Sequence, residues 1–124
     1  MKSVILLSHG SKSAASQAEV AELARRIARE GGFAYVQHAY LGSAEPLFAD
    51  AVRQLVSRGA SEVIVVLHFL NAGNHVSEDV PLLLEEVRKN HPNVHFSATR
   101  PVGLHPVIPA LCCDLIREVQ AEKL

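Results

Sequence analysis

The stretch EVIVVLHFL, residues 62–70, decides the fold, because apolar and mainly β-branched residues dominate it. A second run of the same character, SVILL, occupies residues 3–7. Strands that are apolar along nearly their whole length are typical of the centre of a parallel sheet, where helices cover both faces. The two runs therefore predict two buried central strands.

Amphipathic segments alternate with strand-like runs on either side of this stretch. Apolar residues recur at helical spacing from Ala14 to Glu30, and Gly31-Gly32 ends that pattern. Four βα units in strict alternation predict an α/β fold, a three-layer sandwich with a parallel sheet in the order 2-1-3-4, as in flavodoxin-like proteins. The predicted strands are Ser3–Leu7, Phe33–Leu41, Glu62–Leu70 and Asn93–Ala98, and the predicted helices are Ala14–Glu30, Glu45–Arg58, Glu78–Asn90 and His105–Glu122.

Length and composition narrow the class of protein. The chain has 124 residues, which predicts a single domain over residues 1–124. A hydrophobic fraction of 48% with a net charge of -1 excludes a disordered chain. The balance of 12 basic and 13 acidic residues argues against a nucleic-acid partner, which a basic stripe would mark.

The apolar runs and the cysteines predict a cytoplasmic protein with no membrane partner. No run approaches the ~20 apolar residues that a membrane span needs. The stretch Val4–Leu7 is shorter than the apolar core of a signal peptide, which needs at least ~7 residues. Cys112 and Cys113 are adjacent, so ordinary disulfide geometry is closed to them. On a helix, one of the two is expected to face the core and the other to lie near its edge.

Two histidines lie where such a sheet places its ligand site. In a sheet of order 2-1-3-4, ligands bind at the carboxyl ends of the strands, between the first and the third. His9 follows the first strand, and His75 lies in the long loop after the third. Imidazole binds late first-row divalent metals and titrates near neutral pH. The pair is therefore predicted to hold a metal ion or to accept protons.

Other residues at the same edge of the sheet are further candidates, and most of them have two interpretations. Glu45 is either a first-turn acid that complements a helix dipole or a carboxylate that assists a histidine in proton removal. The segment Ser11-Lys12-Ser13 either caps the first helix or binds an anionic group through its backbone N–H groups. His105 starts the last helix and is expected to line the pocket. His68, within the third strand, fits a hydrogen-bonded interior histidine as well as a site residue.

Four segments together resemble the small CbiX-type sirohydrochlorin chelatases, which belong to the type II tetrapyrrole chelatase superfamily. The segments are LLSHGSK, AEPLFADAV, FLNAGNHVSEDVPLLLEEVRKNHP and VGLHPVIPAL, in order along nearly the whole chain. The resemblance implies that His9 and His75 form the metal site and that Glu45 is the active-site acid. It also implies a homodimer that inserts Co²⁺, Ni²⁺ or Fe²⁺ into sirohydrochlorin, Co²⁺ ranking first, with the metal as substrate and no permanently bound cofactor.

Two alternatives remain beside the chelatase hypothesis. A carrier of tetrapyrrole or metal on the same scaffold would bind without turnover, since fold does not fix function. An unrelated flavodoxin-like regulator would lose no metal affinity when His9 or His75 is replaced. The chain departs from the resembled pattern at Gly42, where an acid is often found, at Lys12, where arginine is usual, and at His68, which adds a histidine.

Overall fold

A computed structural model describes residues 1–73 and 75–122, without the side chain of His75. The chain alternates strands and helices, as expected. The strands are β1 (Lys2–Ser8), β2 (Val36–Tyr40), β3 (Glu62–Leu67) and β4 (His95–Ala98). The helices are α1 (Ala14–Gly31), α2 (Phe48–Ser57), α3 (Val80–Asn90) and α4 (Ile108–Glu122), with a π-helical turn (His75–Asp79) before α3 and a 3₁₀ turn (Val102–Leu104) before α4.

The sheet has the predicted topology. Its four strands are parallel in the order β2-β1-β3-β4, which confirms both the fold class and the strand order. The register places Val4 between Val36 and Ile64, and Leu6 between His38 and Val66. Because side chains alternate along a strand, these residues share one face of the sheet and their neighbours share the other.

One face of the sheet, called here the sealed face, is covered by α2 and α3. Its strand residues pack with apolar residues of the two helices into one continuous core. Burial of this kind contributes about 1.5–3 kcal/mol for each large apolar side chain. Most of the buried apolar side chains among the described residues belong to this core. The strand residues of this face are Ile5, Leu7, Ala39, Val63, Val65, Leu67 and Phe96.

The opposite face, called here the open face, is covered only in part. It carries Val4, Leu6, Ile64 and Val66, and α1 packs on the β2 side of it. Ile64 and Val66 on β3 are partly exposed. Helices therefore lie on both faces, as predicted, but α1 covers only part of this one.

Helix α4 does not cover the rest of the open face. Every residue of α4 after Ile108 is exposed. Cys112 and Cys113 are both exposed, so the expectation that one of them faces the core is also wrong. Periodicity correctly predicted an amphipathic helix here, but it cannot say which surface the helix covers.

Most element boundaries shift by one to three residues for local reasons. Ser13 caps α1, accepting a hydrogen bond from the N–H of Ser16, as predicted. Strand β2 begins at Val36 rather than Phe33, because the N–H of Phe33 still bonds to the Ala28 carbonyl at the helix end. Strand β4 begins at His95 rather than Asn93, because a turn joins Val94 to His91.

The second and the fourth helix start later than predicted. Helix α2 begins at Phe48 rather than Glu45, since a residue before proline is disfavoured in helical geometry and the Pro46 carbonyl accepts the N–H of Tyr40. Helix α4 begins at Ile108 rather than His105, which also precedes a proline. Glu45 and His105 are therefore loop residues.

The end of β3 and the start of the following helical segment also differ from the prediction. Strand β3 ends at Leu67 rather than Leu70, because the Phe69 carbonyl bonds to Gly103 in the loop after β4. The helical segment starts with the π-helical turn at His75, before the predicted Glu78, and becomes α-helical at Val80. Pro81 lies in the first turn of α3, where a proline removes no helical hydrogen bond.

Candidate active site

The loops after β1 and β2 are bonded to each other at the carboxyl edge of the sheet. The N–H of Leu41 donates to the Ser8 carbonyl at 3.0 Å, and the N–H of Gly42 donates to the His9 carbonyl at 3.2 Å. Gly10 has a φ of 112°, and a Cβ there would overlap the carbonyl oxygen of Gly42. Only glycine fits this approach, so Gly10 fixes how the two loops meet.

The loops after β3 and β4 are joined in the same way. The N–H of Gly103 donates to the Phe69 carbonyl at 2.9 Å, and a Cβ on Gly103 would overlap the carbonyl oxygen of Leu70. Two close backbone approaches therefore hold the four loops as two pairs along one edge. The edge predicted for the ligand site is a connected surface.

His9 lies at the centre of this edge, supported by the core. It is exposed and follows β1 directly. Its ring packs edge-on against the ring of Phe69, with centroids 4.4 Å apart and planes at 70°. Phe69 is 3% exposed and belongs to the core of the sealed face, so this contact fixes the imidazole at the edge of the sheet.

His75 begins the π-helical turn that leads into α3. Its side chain lies outside the described part of the structure, so its pairing with His9 stays a prediction. The turn itself is fixed by the N–H of Ser77, which donates to the Gly73 carbonyl at 3.0 Å. Because β1 and β3 are adjacent, the segments that carry the two histidines leave neighbouring strands at the same edge.

His68 lies on the open-face side of the same edge. The ring Nδ1 of His68 is 2.8 Å from the hydroxyl oxygen of Ser8. The backbone N–H of His68 donates to the Leu7 carbonyl and so continues the pairing of β1 with β3. Partial burial lowers the pKa of His68, which favours the neutral ring. The structure thus gives His68 the hydrogen bond expected of an interior histidine and also places it in a cavity beside His9.

That cavity has a volume of about 200 Å³ and contains a residue that the sequence did not single out. Tyr40 is 2% exposed, and its hydroxyl has no hydrogen-bond partner among the described residues. Burial raises the pKa of Tyr40, so the phenol keeps its proton. The strand register places Tyr40 at this site, because Tyr40 pairs with Ser8 at the end of β1. The cavity is lined by Ser8, His9, Gly10, Ser11, Ser16, Gln17, Val20, Tyr40 and His68.

Glu45 lies at the carboxyl edge but outside the cavity of His9. It is exposed in the loop before α2 and lines a separate depression with Asp50 and Arg53, which form an ion pair with each other. The first-turn position that the sequence suggested is wrong, because the helix starts at Phe48.

The segment after His9 is shaped by its own hydrogen bonds. The hydroxyl of Ser11 accepts from the N–H of Ser13 at 3.1 Å, and the Ser11 carbonyl accepts from the side chain of Gln17 at 2.8 Å. Lys12 is exposed between them. These bonds hold the start of α1 against the cavity and leave the lysine on the surface.

His105 belongs to a different cleft. It is exposed, and its Nδ1 accepts the N–H of Val107 at 3.0 Å. With Arg100, Val66 and Leu111 it lines a cleft of about 450 Å³ between the end of β3 and the first turn of α4. The structure therefore separates His105 from the cavity of His9.

Searches for a closed metal centre and for a membrane span both gave negative results for the described residues. In that part of the chain, no three histidine, cysteine or acidic side chains converge in an arrangement that could hold a metal ion. None of the described helices is both long and apolar enough to cross a membrane. An exchangeable metal needs fewer protein ligands than a closed four-ligand site, so the first result leaves an open site available.

The fold and the edge define a class: a parallel α/β domain that presents histidines from the loops of its two central strands. Comparison with protein families gives the particular one. The CbiX family model matches residues 3–119, nearly the whole chain, and the chain therefore belongs to the CbiX family.

Curated relatives from plants and archaea carry chelatase names. The chloroplastic sirohydrochlorin ferrochelatase of Arabidopsis thaliana is 29% identical over 92% of this chain and 51% of its own length. The sirohydrochlorin cobaltochelatase of Methanocaldococcus jannaschii is 32% identical over 73% of this chain and 64% of its own. The chain thus spans between half and two thirds of these two relatives. It spans 92% of the sirohydrochlorin cobaltochelatase of Sulfolobus acidocaldarius, at 34% identity.

Solved structures share the fold. A CbiX protein from Marinobacter aquaeolei VT8 superposes with a TM-score of 0.87 at 28% identity, covering 98% of this chain and 99% of that one. The sirohydrochlorin chelatase SirB of Bacillus subtilis, in complex with cobalt, superposes with a TM-score of 0.77 at 21% identity. Here the match covers 84% of this chain but only 44% of SirB, and at this identity it supports the fold alone.

Proposed function

We propose that this chain inserts a divalent metal ion into sirohydrochlorin, with Co²⁺ as the first-ranked metal and Ni²⁺ and Fe²⁺ after it. The observation that carries the proposal is the CbiX match over residues 3–119, in a chain whose carboxyl edge presents His9. Relatives named for cobalt and for iron support sirohydrochlorin as the substrate and are consistent with more than one metal.

The chemistry asks for weak metal ligands and for proton acceptors. Metallation removes two N–H protons from the ring and strips water from the cation. In this proposal His9 and His75 hold the cation through neutral imidazole nitrogens and release it to the ring, and one of them accepts a proton. Two histidines form an open site, which gives up its metal more readily than a closed four-ligand site.

The remaining candidates have assisting roles in this proposal. Glu45 accepts a ring proton from the loop after β2, which is bonded to the His9 loop through Gly42. Lys12 and Ser11 meet a carboxylate of the substrate beside the amino end of α1, where the helix dipole also favours negative charge. His105 contacts the periphery of the macrocycle from its own cleft.

The proposal includes pairing and location. SirB is more than twice as long as the part of it that matches this chain. A single domain over residues 1–124 would recover a two-lobed cleft by forming a homodimer. We place the protein in the cytoplasm. The metal is a substrate, and no permanently bound cofactor is part of the proposal.

The test is an anaerobic spectrophotometric assay of sirohydrochlorin metallation. Co²⁺, Ni²⁺ and Fe²⁺ are each mixed with sirohydrochlorin, with and without the protein, for the wild type and for His9→Ala and His75→Ala. We expect a rate enhancement that falls at least tenfold in both variants. His95→Ala is the matched control, because His95 is an exposed histidine at the opposite end of the sheet.

The other outcomes are distinct. Tight binding of sirohydrochlorin or Co²⁺ without turnover would replace the proposal with a carrier. Turnover that survives both histidine substitutions would retain the chelatase and overturn the assigned ligands. Neither turnover nor binding would overturn the function altogether.

A further inference from the structure

Three polar side chains form a row across the open face at the point where the strands end. Tyr40 on β2 pairs in register with Ser8 at the end of β1, and the Ser8 hydroxyl is 2.8 Å from Nδ1 of His68, which follows β3. Because side chains alternate along a strand, Tyr40 and Ser8 share the face that carries Leu6. All three members of the row line the cavity of about 200 Å³ beside His9.

Tyr40 is the member of this row whose hydroxyl is left without a partner. Ser8 and His68 are bonded to each other, whereas the hydroxyl of Tyr40 is buried with no hydrogen-bond partner among the described residues. Burial raises the pKa of Tyr40, so the phenol keeps its proton and can donate it to a hydrogen bond. A buried donor has lost its bonds to water and regains that free energy only from a bound acceptor. The cavity is therefore suited to a ligand with an acceptor oxygen.

Helix α1 covers the cavity with its amino end and strengthens the same preference. Ser16, Gln17 and Val20 of α1 line the cavity, and the first turn of this 18-residue helix carries no acidic residue. The amino end of a helix has roughly half an elementary positive charge, which a first-turn acid often compensates. No Asp or Glu is among the described residues that line the cavity. The local field therefore favours an anion.

The donors and the size of the cavity favour a carboxylate among the anions. The described lining residues supply hydroxyls and backbone N–H groups, without a lysine or an arginine. Phosphate is usually held by such cationic side chains, whereas neutral donors and a helix end match the single charge of a carboxylate. The volume of about 200 Å³ is several times the ~30 Å³ that one water takes in the liquid. A group of the size of acetate fits this space.

We propose that this cavity binds one carboxylate group, to which the Tyr40 hydroxyl donates a hydrogen bond beneath the amino end of α1. The carboxylate belongs either to a small free acid or to a short carboxylate arm of sirohydrochlorin. In the second case the inference rests on the function proposed above and deepens it. Tyr40 then distinguishes a charged arm from a neutral one, because a buried donor rejects a group that cannot accept from it.

The first experiment measures acetate binding without tetrapyrrole or metal. Acetate is titrated into ¹⁵N-labelled protein at constant ionic strength, with chloride as the reference anion, and the amide shifts of Gly10 and Ser11 are followed by NMR. We expect saturation in the wild type and a Kd at least about tenfold higher in Tyr40→Phe, which loses only the buried hydroxyl. Shifts that do not saturate in the wild type, or that saturate equally in Tyr40→Phe, would overturn the proposal.

The chain offers a matched control for the loss of a tyrosine hydroxyl. Tyr35 is the other of its two tyrosines, is 37% exposed and precedes β2 at the amino end of that strand. Tyr35→Phe should therefore bind acetate as the wild type does. A similar loss of binding in both variants would show that the effect does not come from the cavity and would also overturn the proposal.

Val20→Phe tests the cavity by filling it and leaves the donor in place. Val20 is a partly buried residue of α1 that lines the cavity, so a larger ring takes the space of the carboxylate. We expect acetate binding to be lost and the circular dichroism spectrum to be retained. Leu23→Phe on the same helix is the control, because Leu23 lines a separate depression. Wild-type binding by Val20→Phe would place the carboxylate elsewhere, and Tyr40→Phe decides the matter if Val20→Phe does not fold.

The last experiment identifies the source of the carboxylate. Sirohydrochlorin binding without metal is followed through the absorbance of the macrocycle, with and without acetate. Competition, together with weaker sirohydrochlorin binding by Tyr40→Phe, would assign the cavity to an arm of the substrate, and independent binding would assign it to a free acid. Because acetate binding does not involve metallation, failure of the chelatase proposal would leave this site standing. Failure to bind acetate would remove the site and leave the chelatase proposal untouched.

Discussion

The two faces of the sheet differ in how completely helices cover them, although the same four strands form both. On the sealed face, α2 and α3 bury residues such as Val65 and Phe96 completely. On the open face, α1 covers the β2 side only, and Ile64 and Val66 keep contact with solvent. One face thus contributes to the stability of a single chain, whereas the other makes its full contribution only when something covers it.

The two faces also support different histidines at the carboxyl edge. The ring of His9 packs on Phe69, which belongs to the sealed core, while His68 is bonded to Ser8 over the open face. The proposed metal ligand His9 is therefore in contact with the buried core of the sealed face. The substitutions below test this contrast, beginning with the largest expected effect.

Leu55→Ala tests the sealed face. Leu55 lies on α2 and is 2% exposed. Removing a buried leucine side chain costs about 2–5 kcal/mol, because transfer energy is lost and a cavity remains. We expect the free energy of unfolding in urea to fall by that amount, equally at low and high protein concentration.

Val66→Ala is the matched change on the open face. The loss in a single chain is expected to be about 1 kcal/mol, since the side chain is already partly exposed. The loss should increase at protein concentrations that favour the dimer. Equal losses in the free energy of unfolding for Leu55→Ala and Val66→Ala at every protein concentration would contradict the proposed difference between the faces.

Gly10→Ala tests whether the loops of the edge are fixed by one close approach. A left-handed backbone at a residue other than glycine costs about 1–3 kcal/mol, and the added Cβ would collide with the Gly42 carbonyl. We expect lower stability by that amount or more, and metallation reduced at least tenfold because His9 moves with its loop.

Gly42→Ala is the control for that experiment. An added Cβ on Gly42 meets nothing within 4 Å, and its N–H still bonds to His9. Wild-type stability and activity are expected. If both variants behave alike, the loop geometry is not what positions His9.

His68→Asn tests the smallest effect, a change in pH dependence. The pKa of His68 is lowered in the folded chain by burial, so the unfolded chain binds its proton more readily. Stability is therefore full above the unfolded pKa of about 6.5 and falls as the pH drops through that value towards the folded pKa. We expect the melting temperature of the wild type to fall more steeply between pH 7.5 and 5.5 than that of the variant.

His38 also has a pKa lowered by burial, and it remains in both proteins. The difference between the two slopes therefore isolates His68. Identical slopes would show that His68 does not contribute to the pH dependence. His95→Ala, which removes an exposed histidine, controls for the loss of a histidine as such.

The order and type of the elements could be predicted from the sequence because they depend on local patterns. The apolar runs of β1 and β3 predicted central strands, and alternation of strand and helix predicted a parallel sheet in the observed order. The errors at Glu45 and His105 share one cause, since both residues precede a proline that delays the helix. The prolines were visible, but their effect depended on where the backbone bonded.

The position of the candidate site could be predicted from the sequence, but only some of the residues that line it could. The switch-point rule located His9, because that rule follows from strand order alone. Tyr40 was missed, although register makes it a neighbour of Ser8. Glu45 and His105 fell into separate cavities, since sequence position at an edge does not say towards which side of the loop a residue turns.

The sequence by itself determined the strands, the amphipathic helices, their order and the edge that carries His9, because periodicity and connection rules act over short distances. The tertiary structure decided which surfaces remain uncovered. The apolar stripe of α4 predicts burial against some surface. In the structure the segment before α4 is anchored by the bond between Gly103 and Phe69, and every residue of α4 after Ile108 is exposed. Hydrophobic burial is non-directional, so a sequence states that a face must be covered and only the three-dimensional arrangement states by what.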